Sequence, residues 1–580
     1  MIRLFAKFRW YDWLIIAILV GVSIVQAYFT VFMPRESAVL FERMLDGSPE
    51  SQLWQAGGRT LMYAGGGLIA NLFGSVIAAY LASSLGRRVR NDLFEKVQSF
   101  GFEEMNKFST ASLITRATND ITQAQMVMMM TLRIAISSPI IAIWAIMRIN
   151  AASPGLTMMT AISIVGMIVV MSLMAMLVLP KFQMIQKLTD RLNGVTRQNL
   201  TGLRVVKAYS AEEFEQKKFH DVNYRLNRTN VFANSIMGLT MPLIMLVMNG
   251  VNLAIFWLGA HLINQGTLNF PDLMEFSTLI MQVLMAFIMI AMLLVFVPRA
   301  QVSAKRVMEV LGTKVKVTDP LEPKEFDNKN TGEIVFDNVS FRYPSAEESV
   351  LEGVSFKVAK GETAAFIGST GSGKSTLINL VPRFYDVSGG AVYVDGRDVR
   401  EVRQKDLRAR IGYVPQKGVL FGGTVESNIN YGNAETKEQN IKEAAYVAMA
   451  DEFISNLEDG YNANVSQGGK NFSGGQRQRM AIARAAAVRP DIFVFDDSFS
   501  ALDYKTDKEV RKRLKQYTSG ATCLIVAQRI GTIMDADIIV VLDKGTVVGI
   551  GTHKELLKSC DVYKEIAFSQ LSEEELENDK

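Results

Sequence analysis

The distribution of apolar positions changes near residue 300. Before it, long apolar runs dominate; from residue 334 onward, short apolar stretches are separated by polar and glycine-rich segments, as in a water-soluble α/β protein. A helix that crosses a bilayer needs about 20 mostly apolar residues. Six stretches meet that length: residues 13–33, 61–85, 130–149, 156–179, 236–263 and 273–297. The first follows Arg3, Lys7 and Arg9, as a signal peptide would, but its apolar run is too long and Met33-Pro34-Arg35 is no small-residue cleavage site. It is therefore read as a retained span. Residues 91–125 and 181–234 mix charged and apolar residues at helical spacing, which predicts that spans two to five continue as helices beyond the membrane.

These patterns place a transmembrane domain at 1–311, a linker at 312–333 containing Pro320, Pro323, Asp327 and Asn328, a second domain at 334–571, and an acidic tail at 572–580. The expected fold is multidomain: a six-helix all-α membrane domain followed by an α/β domain.

Charge orients the spans. The connection between spans two and three carries Arg87, Arg88, Arg90, Lys96, Lys107 and Arg116. That between spans four and five carries Lys181, Lys187, Arg191, Arg197, Arg204, Lys207, Lys217, Lys218, Arg225 and Arg228, whereas the link between five and six has neither Lys nor Arg. Basic connections stay inside, so both termini and the second domain are expected in the cytoplasm. The net charge of +4 over 580 residues comes without a basic block suited to nucleic acid. The two cysteines, Cys523 and Cys560, fit a reducing compartment with no cysteine metal site.

Most of the 30 methionines lie between Met126 and Met292. Met237, Met241, Met245 and Met248 share one helical face, as do Met281, Met285, Met289 and Met292. Such flexible, polarisable stripes suit either helix packing or a pocket for varied amphipathic compounds. Arg133 and Glu275 are read as snorkelling to the interfaces, and Asn249 and Gln282 as candidates for lining a cavity.

The strongest chemical signal is Gly368-Ser369-Thr370-Gly371-Ser372-Gly373-Lys374-Ser375-Thr376, between a strand pattern at 362–367 and a helix pattern at 377–381. It fits the phosphate-binding loop in its required strand–loop–helix context. Glycines let backbone N–H groups close on phosphates, Lys374 would reach the β- and γ-phosphates, and Ser375 would hold Mg²⁺. A second buried-strand run, 492–495, ends in Asp496, a carboxylate placed to bind the same metal.

Phe472-Ser473-Gly474-Gly475-Gln476 then closely resembles the signature of ABC transporters, usually LSGGQ. The chain is similar to the exporter-type half-transporters of that family along nearly its whole length. The resemblance extends to Leu113–Asp120 and Gly202–Tyr209, which look like the family's two intracellular connections. It implies that Tyr343 stacks on adenine, that Gln416 touches Mg²⁺ and the attacking water, and that Asp503 belongs to the D-loop. It also implies ATP and Mg²⁺ as cofactors, a second half-transporter as partner, a lipid bilayer, and a plasma-membrane location as a multi-pass protein of a bacterial cell.

Two positions depart from that family. The residue after the Mg²⁺-binding Asp is normally Glu; here it is Asp497, one methylene shorter, which withdraws the carboxylate by roughly 1.5 Å. Misplacement on that scale can cost about 100-fold in rate. The switch histidine is replaced by Gln528, which can hydrogen-bond a phosphate but cannot become cationic. Gln467-Gly468 also stands where the family more often has Glu-Arg. The pattern resembles the degenerate-site subunit of heterodimeric bacterial multidrug exporters. In those, a chain of this kind binds ATP at its own slow site and lends Ser473, Gly474, Gly475 and Gln476 to the partner's. The expected function is ATP-driven export of amphipathic drugs or lipids. The alternatives are a slowly hydrolysing homodimeric flippase or exporter, and an ATP-gated regulator.

Overall fold

A computed structural model describes residues 7–152, 154–326, 331–344, 346–432 and 437–570. Arg3, Ser153, part of the expected linker including Asp327 and Asn328, and the expected acidic tail lie outside the described residues. The chain divides into two compact units: residues 1–98 with 110–313, and residues 99–109 with 314–580.

The first unit contains six helices long and apolar enough to cross a membrane: Trp10–Leu45, Glu50–Gln98, Thr110–Ala151, Gly155–Thr201, Glu212–Asn264 and Phe270–Leu311. Each contains one of the six expected spans. The first helix packs mainly on the second, the third on the sixth, and the fourth on the fifth. A buried apolar layer built from Val31, Ile149, Leu156, Ile255, Leu279, Ile280 and Val283 joins the first, third, fourth, fifth and sixth.

The long connections are helical, as expected, but not continuous. The first breaks around a short helix, Phe102–Lys107, and resumes through a π-turn at Arg116–Asp120. The second breaks at Gly202, forms the short helix Leu203–Ala208, and resumes at Glu212. Helical spacing on both sides of each break concealed it.

Three polar side chains in this unit depart from the sequence reading. Glu275 does not snorkel alone: it is buried and ion-paired with Arg148, whose guanidinium also lies 4.6 Å from the centre of the Phe32 ring. Gln282 is engaged in packing between helices: its Nε2 donates to the Thr30 carbonyl at 3.0 Å. Pro34 lies inside the first helix, and a proline deprives the carbonyl four residues earlier, here Thr30, of its helical partner. The sixth helix therefore supplies the donor that Pro34 removed. Arg133 is likewise tied down, with Nη2 donating to Asn71 Oδ1 at 2.7 Å. The sequence reading also passed over Asp12, which is fully buried against Arg88 at 2.7 Å.

The second unit is an α/β domain. Strands β1 (Ile334–Phe341), β2 (Leu351–Val358), β4 (Gly389–Val394) and β5 (Arg397–Asp398) form an antiparallel sheet in the order β2-β1-β4-β5. Strands β3 (Thr363–Gly368), β6 (Ile411–Val414), β9 (Ile492–Asp496), β10 (Thr522–Val526), β11 (Ile538–Asp543) and β12 (Thr546–Gly551) form a second sheet in the order β12-β11-β3-β10-β9-β6. Only the β11–β12 pair in that sheet is antiparallel. The remaining strands, β7 (Gly423–Thr424) and β8 (Asn464–Val465), pair with each other. Strand β9 is buried at every position, as a parallel strand covered on both faces requires. Residues 99–109 belong to this unit: Phe102 packs its ring 4.6 Å from Phe384, Asn106 donates to the Tyr385 hydroxyl, and Glu104 accepts the Lys316 N–H.

Candidate functional site

Parallel register brings the chemistry together. Val526 of β10 pairs with Asp496 of β9, and Val414 of β6 pairs with Phe495. Strands β6, β9 and β10 therefore end side by side. Two residues past the outer strands come Gln416 and Gln528, flanking Asp497 just past β9. Strand β3 ends on the other side of β10, where the loop of residues 368–373 begins. Ligands of open α/β sheets bind outside such carboxyl ends.

The loop leads into the helix Lys374–Leu380. Gly373 holds φ +99°, and a Cβ there would lie 2.7 Å from Leu351 Cδ2, so only glycine fits this turn against β2. Lys374 Nζ donates to the carbonyls of Gly368 at 2.8 Å and Ser369 at 2.7 Å. Burial pushes the Lys374 ammonium below its ordinary value, opposed by the charges of Asp497 and Asp496. A cation held over its own loop by carbonyls is poised to exchange them for phosphate oxygens.

Ser375 Oγ donates to Asp496 Oδ1 at 2.7 Å. Burial raises the Asp496 carboxyl above its ordinary value; the Ser375 bond lowers it and the Asp497 charge raises it further. A hydroxyl and a desolvated carboxylate side by side, beside a second carboxylate, fit a hard divalent cation with oxygen ligands. Gln416, expected as a third ligand, donates its Nε2 to Asp497 Oδ2. The described residues contain no cluster of three His, Cys, Asp or Glu that could hold a metal, so the donor set that fits here is hydroxyl plus carboxylate.

Asp497 is the centre of the arrangement. Its backbone is left-handed at φ +47°, a conformation that Asp tolerates better than most residues. Its Oδ2 accepts from Gln528 Nε2 at 2.7 Å and from Gln416 Nε2 at 3.2 Å. The two amides thus converge on one carboxylate oxygen.

Tyr343 stands at the edge of the same region. Its hydroxyl is 3.0 Å from Thr376 Oγ1, and its ring meets Tyr385 edge-on at 5.4 Å. Ser473 caps the helix Gly474–Ala487: its Oγ accepts the Gln476 N–H and its own N–H donates to Gln476 Oε1. This exposed cap makes no hydrogen bond or ion pair with the phosphate loop among the described residues. Phe472, in place of the usual Leu, is buried in the core beside Phe453. Asp503 caps the helix Tyr504–Tyr517, and the Thr506 hydroxyl and backbone hold its carboxyl below the ordinary range.

Sequence reasoning missed three supporting residues. Gln478, nearly fully buried, accepts from the Gly418 N–H and donates to the Pro415 carbonyl, so the signature helix grips both sides of Gln416. Gln570 does the same for Gln528, donating to its carbonyl and accepting the Ile530 N–H. Tyr413 is half-buried near Asp496, and its hydroxyl, whose pKa desolvation raises, donates to Asn379 Oδ1. No local pattern marks them, because each acts on a segment at least 34 residues away.

The comparisons with known proteins agree with this layout. Residues 14–287 match the ABC transporter transmembrane region and residues 351–500 match the ABC transporter domain. The chain is 41% identical over 467 residues to an uncharacterized ABC transporter ATP-binding protein of Mycobacterium tuberculosis, covering 80% of each. It is 31% identical over 460 residues to a probable multidrug resistance ABC transporter ATP-binding/permease protein, YheI, of Bacillus subtilis, covering 79% of this chain and 78% of that one. Its fold matches that of a bacterial Atm1-family ABC exporter with ATP bound, with a TM-score of 0.78 over 96% of this chain and 97% of the other at 24% identity.

Proposed function

The chain belongs to the ABC transporter family as an exporter-type half-transporter, and from that premise we propose that it works in a heterodimer as the subunit with the slow ATP site. In this reading Gly368, Ser369, Thr370, Gly371, Ser372, Gly373, Lys374, Ser375 and Thr376 cradle the ATP phosphates, and Tyr343 stacks on adenine. Mg²⁺, held by Ser375 and Asp496, supplies charge neutralisation on the β- and γ-phosphates. Asp497 is the water-orienting carboxylate, with Gln416 and Gln528 beside it. The exposed Ser473 and Gly474, with the half-buried Gly475 and Gln476, face the partner's ATP, with Asp503 nearby. The transported compound is an amphipathic drug or lipid moved outward across the plasma membrane, and the second unit is cytoplasmic.

The observation that carries the reading is the convergence of Gln528 and Gln416 on Asp497 Oδ2. A carboxylate already shortened by one methylene is further occupied by two amides, so it has less freedom to orient and polarise water. Gln528 can neither take up a proton nor carry a charge to a developing phosphate. ATP binding depends on other groups, which are intact. The multidrug assignment of the Bacillus subtilis relative supports the substrate class, as do Met285, Met289 and Met292, exposed along the sixth helix.

Two variants measured in the assembled dimer test the division of labour. Ser473→Arg is expected to abolish most ATPase activity by displacing the cap from the partner's γ-phosphate. Lys374→Ala is expected to weaken ATP binding at this chain's own site and to reduce turnover less completely. The reverse order would refute the asymmetric reading.

A further inference from the structure

Apart from Arg148 and Glu275 near the ends of the third and sixth, the apolar stretches of the six helices contain a single formal charge. Residues 13–34, 60–86, 155–180, 229–260 and 276–298 hold no Asp, Glu, Lys or Arg, and residues 121–147 hold only Arg133. A charge in such a segment is costly and is retained where it does something.

Its surroundings do not neutralise it. The hydrogen-bond partner of the guanidinium is the neutral amide oxygen of Asn71, and no carboxylate lies within ion-pair distance of it among the described residues. Two arginines at the ends of these stretches are paired: Arg88 with Asp12 and Arg148 with Glu275. Nor does Arg133 escape to the nearer interface. The second and third helices run antiparallel and are pinned where Gln125 donates to Ser83. From Gln125 to Arg133 is eight residues along the third helix, whereas from Ser83 back to Asn71 is twelve along the second. At 1.5 Å per residue the four-residue excess carries the guanidinium roughly 6 Å away from the basic ends of the helices, against the direction of snorkelling.

Arg133 is exposed on the surface of the six-helix unit. One and two turns earlier on the same face stand Met129 and Met126, both exposed, and beside Asn71 stand exposed Leu68 and Leu72. A fixed, unpaired cation bordered by flexible apolar side chains matches a molecule with an anionic head and an apolar body.

We propose that Arg133, positioned by Asn71, is the headgroup site for an amphipathic anion, and that the compounds this exporter moves include molecules with a sulfonate, phosphate or carboxylate head. The inference rests on the export reading and narrows its substrate. The anion is drawn either from the lipid of the bilayer or from a small compound dissolved in it.

The test is equilibrium binding to the full chain in neutral phosphatidylcholine nanodiscs. The probes are anilinonaphthalene sulfonate, an NBD-labelled phosphatidylglycerol, and the cation rhodamine 6G as comparison. Arg133→Gln is expected to raise the Kd of at least one anionic probe about tenfold or more relative to rhodamine 6G, and Arg133→Lys is expected to retain most of the affinity. Asn71→Ala should weaken the same probe by a smaller factor. Loss confined to the sulfonate identifies a small-molecule site; loss confined to the lipid identifies a phospholipid site. Unchanged anion-to-rhodamine ratios in Arg133→Gln overturn the proposal, as does weakened association with the partner subunit in place of weakened anion binding, which would make Arg133 an interface group. ATP-dependent rhodamine transport in vesicles is measured in parallel; its absence from the wild-type assembly would count against the export reading, while the binding result decides the site.

Discussion

Asp496 and Asp497 are adjacent carboxylates in a buried site whose nearest cation, Lys374, is bound to its own loop. The burden falls on Asp496, whose carboxyl is raised by burial. A carboxyl raised in the folded state favours folding most below its ordinary value, near pH 4, and that share is lost as pH climbs through the raised value. Asp496→Asn, which keeps an acceptor for Ser375, should therefore stabilise the nucleotide-free chain relative to wild type, by more at pH 7 than at pH 4. Thermal unfolding at the two pH values checks this. A variant less stable at pH 7 would mean that the charge is compensated without metal. The identity of these residues was legible in the sequence, since the spacing from the phosphate loop to Asp496 and the flanking apolar runs point to one sheet edge. Their engagement was not. The Gln528 and Gln416 bonds to Asp497 depend on strand order, which places β6 and β10 on either side of β9 although residues 81 and 31 positions away supply the amides.

At the level of elements, hydropathy located all six long helices, because about 20 apolar residues in a row admit few other structures. Links between helices were illegible for the converse reason: Arg148–Glu275 and Thr30–Gln282 join residues 127 and 252 apart, and no local period encodes such pairings. Pro34 offered one usable signal, since a proline within a helix always frees a carbonyl. The Gln282 clasp has a direct consequence. Gln282→Leu should destabilise the membrane unit by about 1 kcal/mol, the usual worth of one hydrogen bond. In a Pro34→Ala background, where the Thr30 carbonyl regains a helical donor, the same change should cost less than half of that. A double-mutant cycle measured by unfolding in mild detergent checks the coupling. Additive effects would show that the two sites are independent.

On the scale of the whole molecule, the asymmetry of Lys and Arg predicts sidedness, and a cysteine at Ser210 should react with an impermeant maleimide from the cytoplasmic side while one at Gln265 reacts from outside. Cys523 and Cys560 are buried and do not interfere. Labelling of both from one side would reverse the reading. On the proposed reading, the same sidedness would put the second unit where ATP is available and let its exposed Ser473 cap serve a neighbouring chain. The central claim is that this chain binds ATP at a site its own residues keep slow, and restoring those residues tests it most directly. The ATPase rate of the assembled dimer is measured for the wild type and for Asp497→Glu combined with Gln528→His. The account predicts little hydrolysis by the unmodified chain alone and a rate above wild type for the restored pair beside a competent partner signature. Rapid, cooperative hydrolysis by the unmodified chain on its own would contradict it, showing that Asp497 under its two glutamines already suffices.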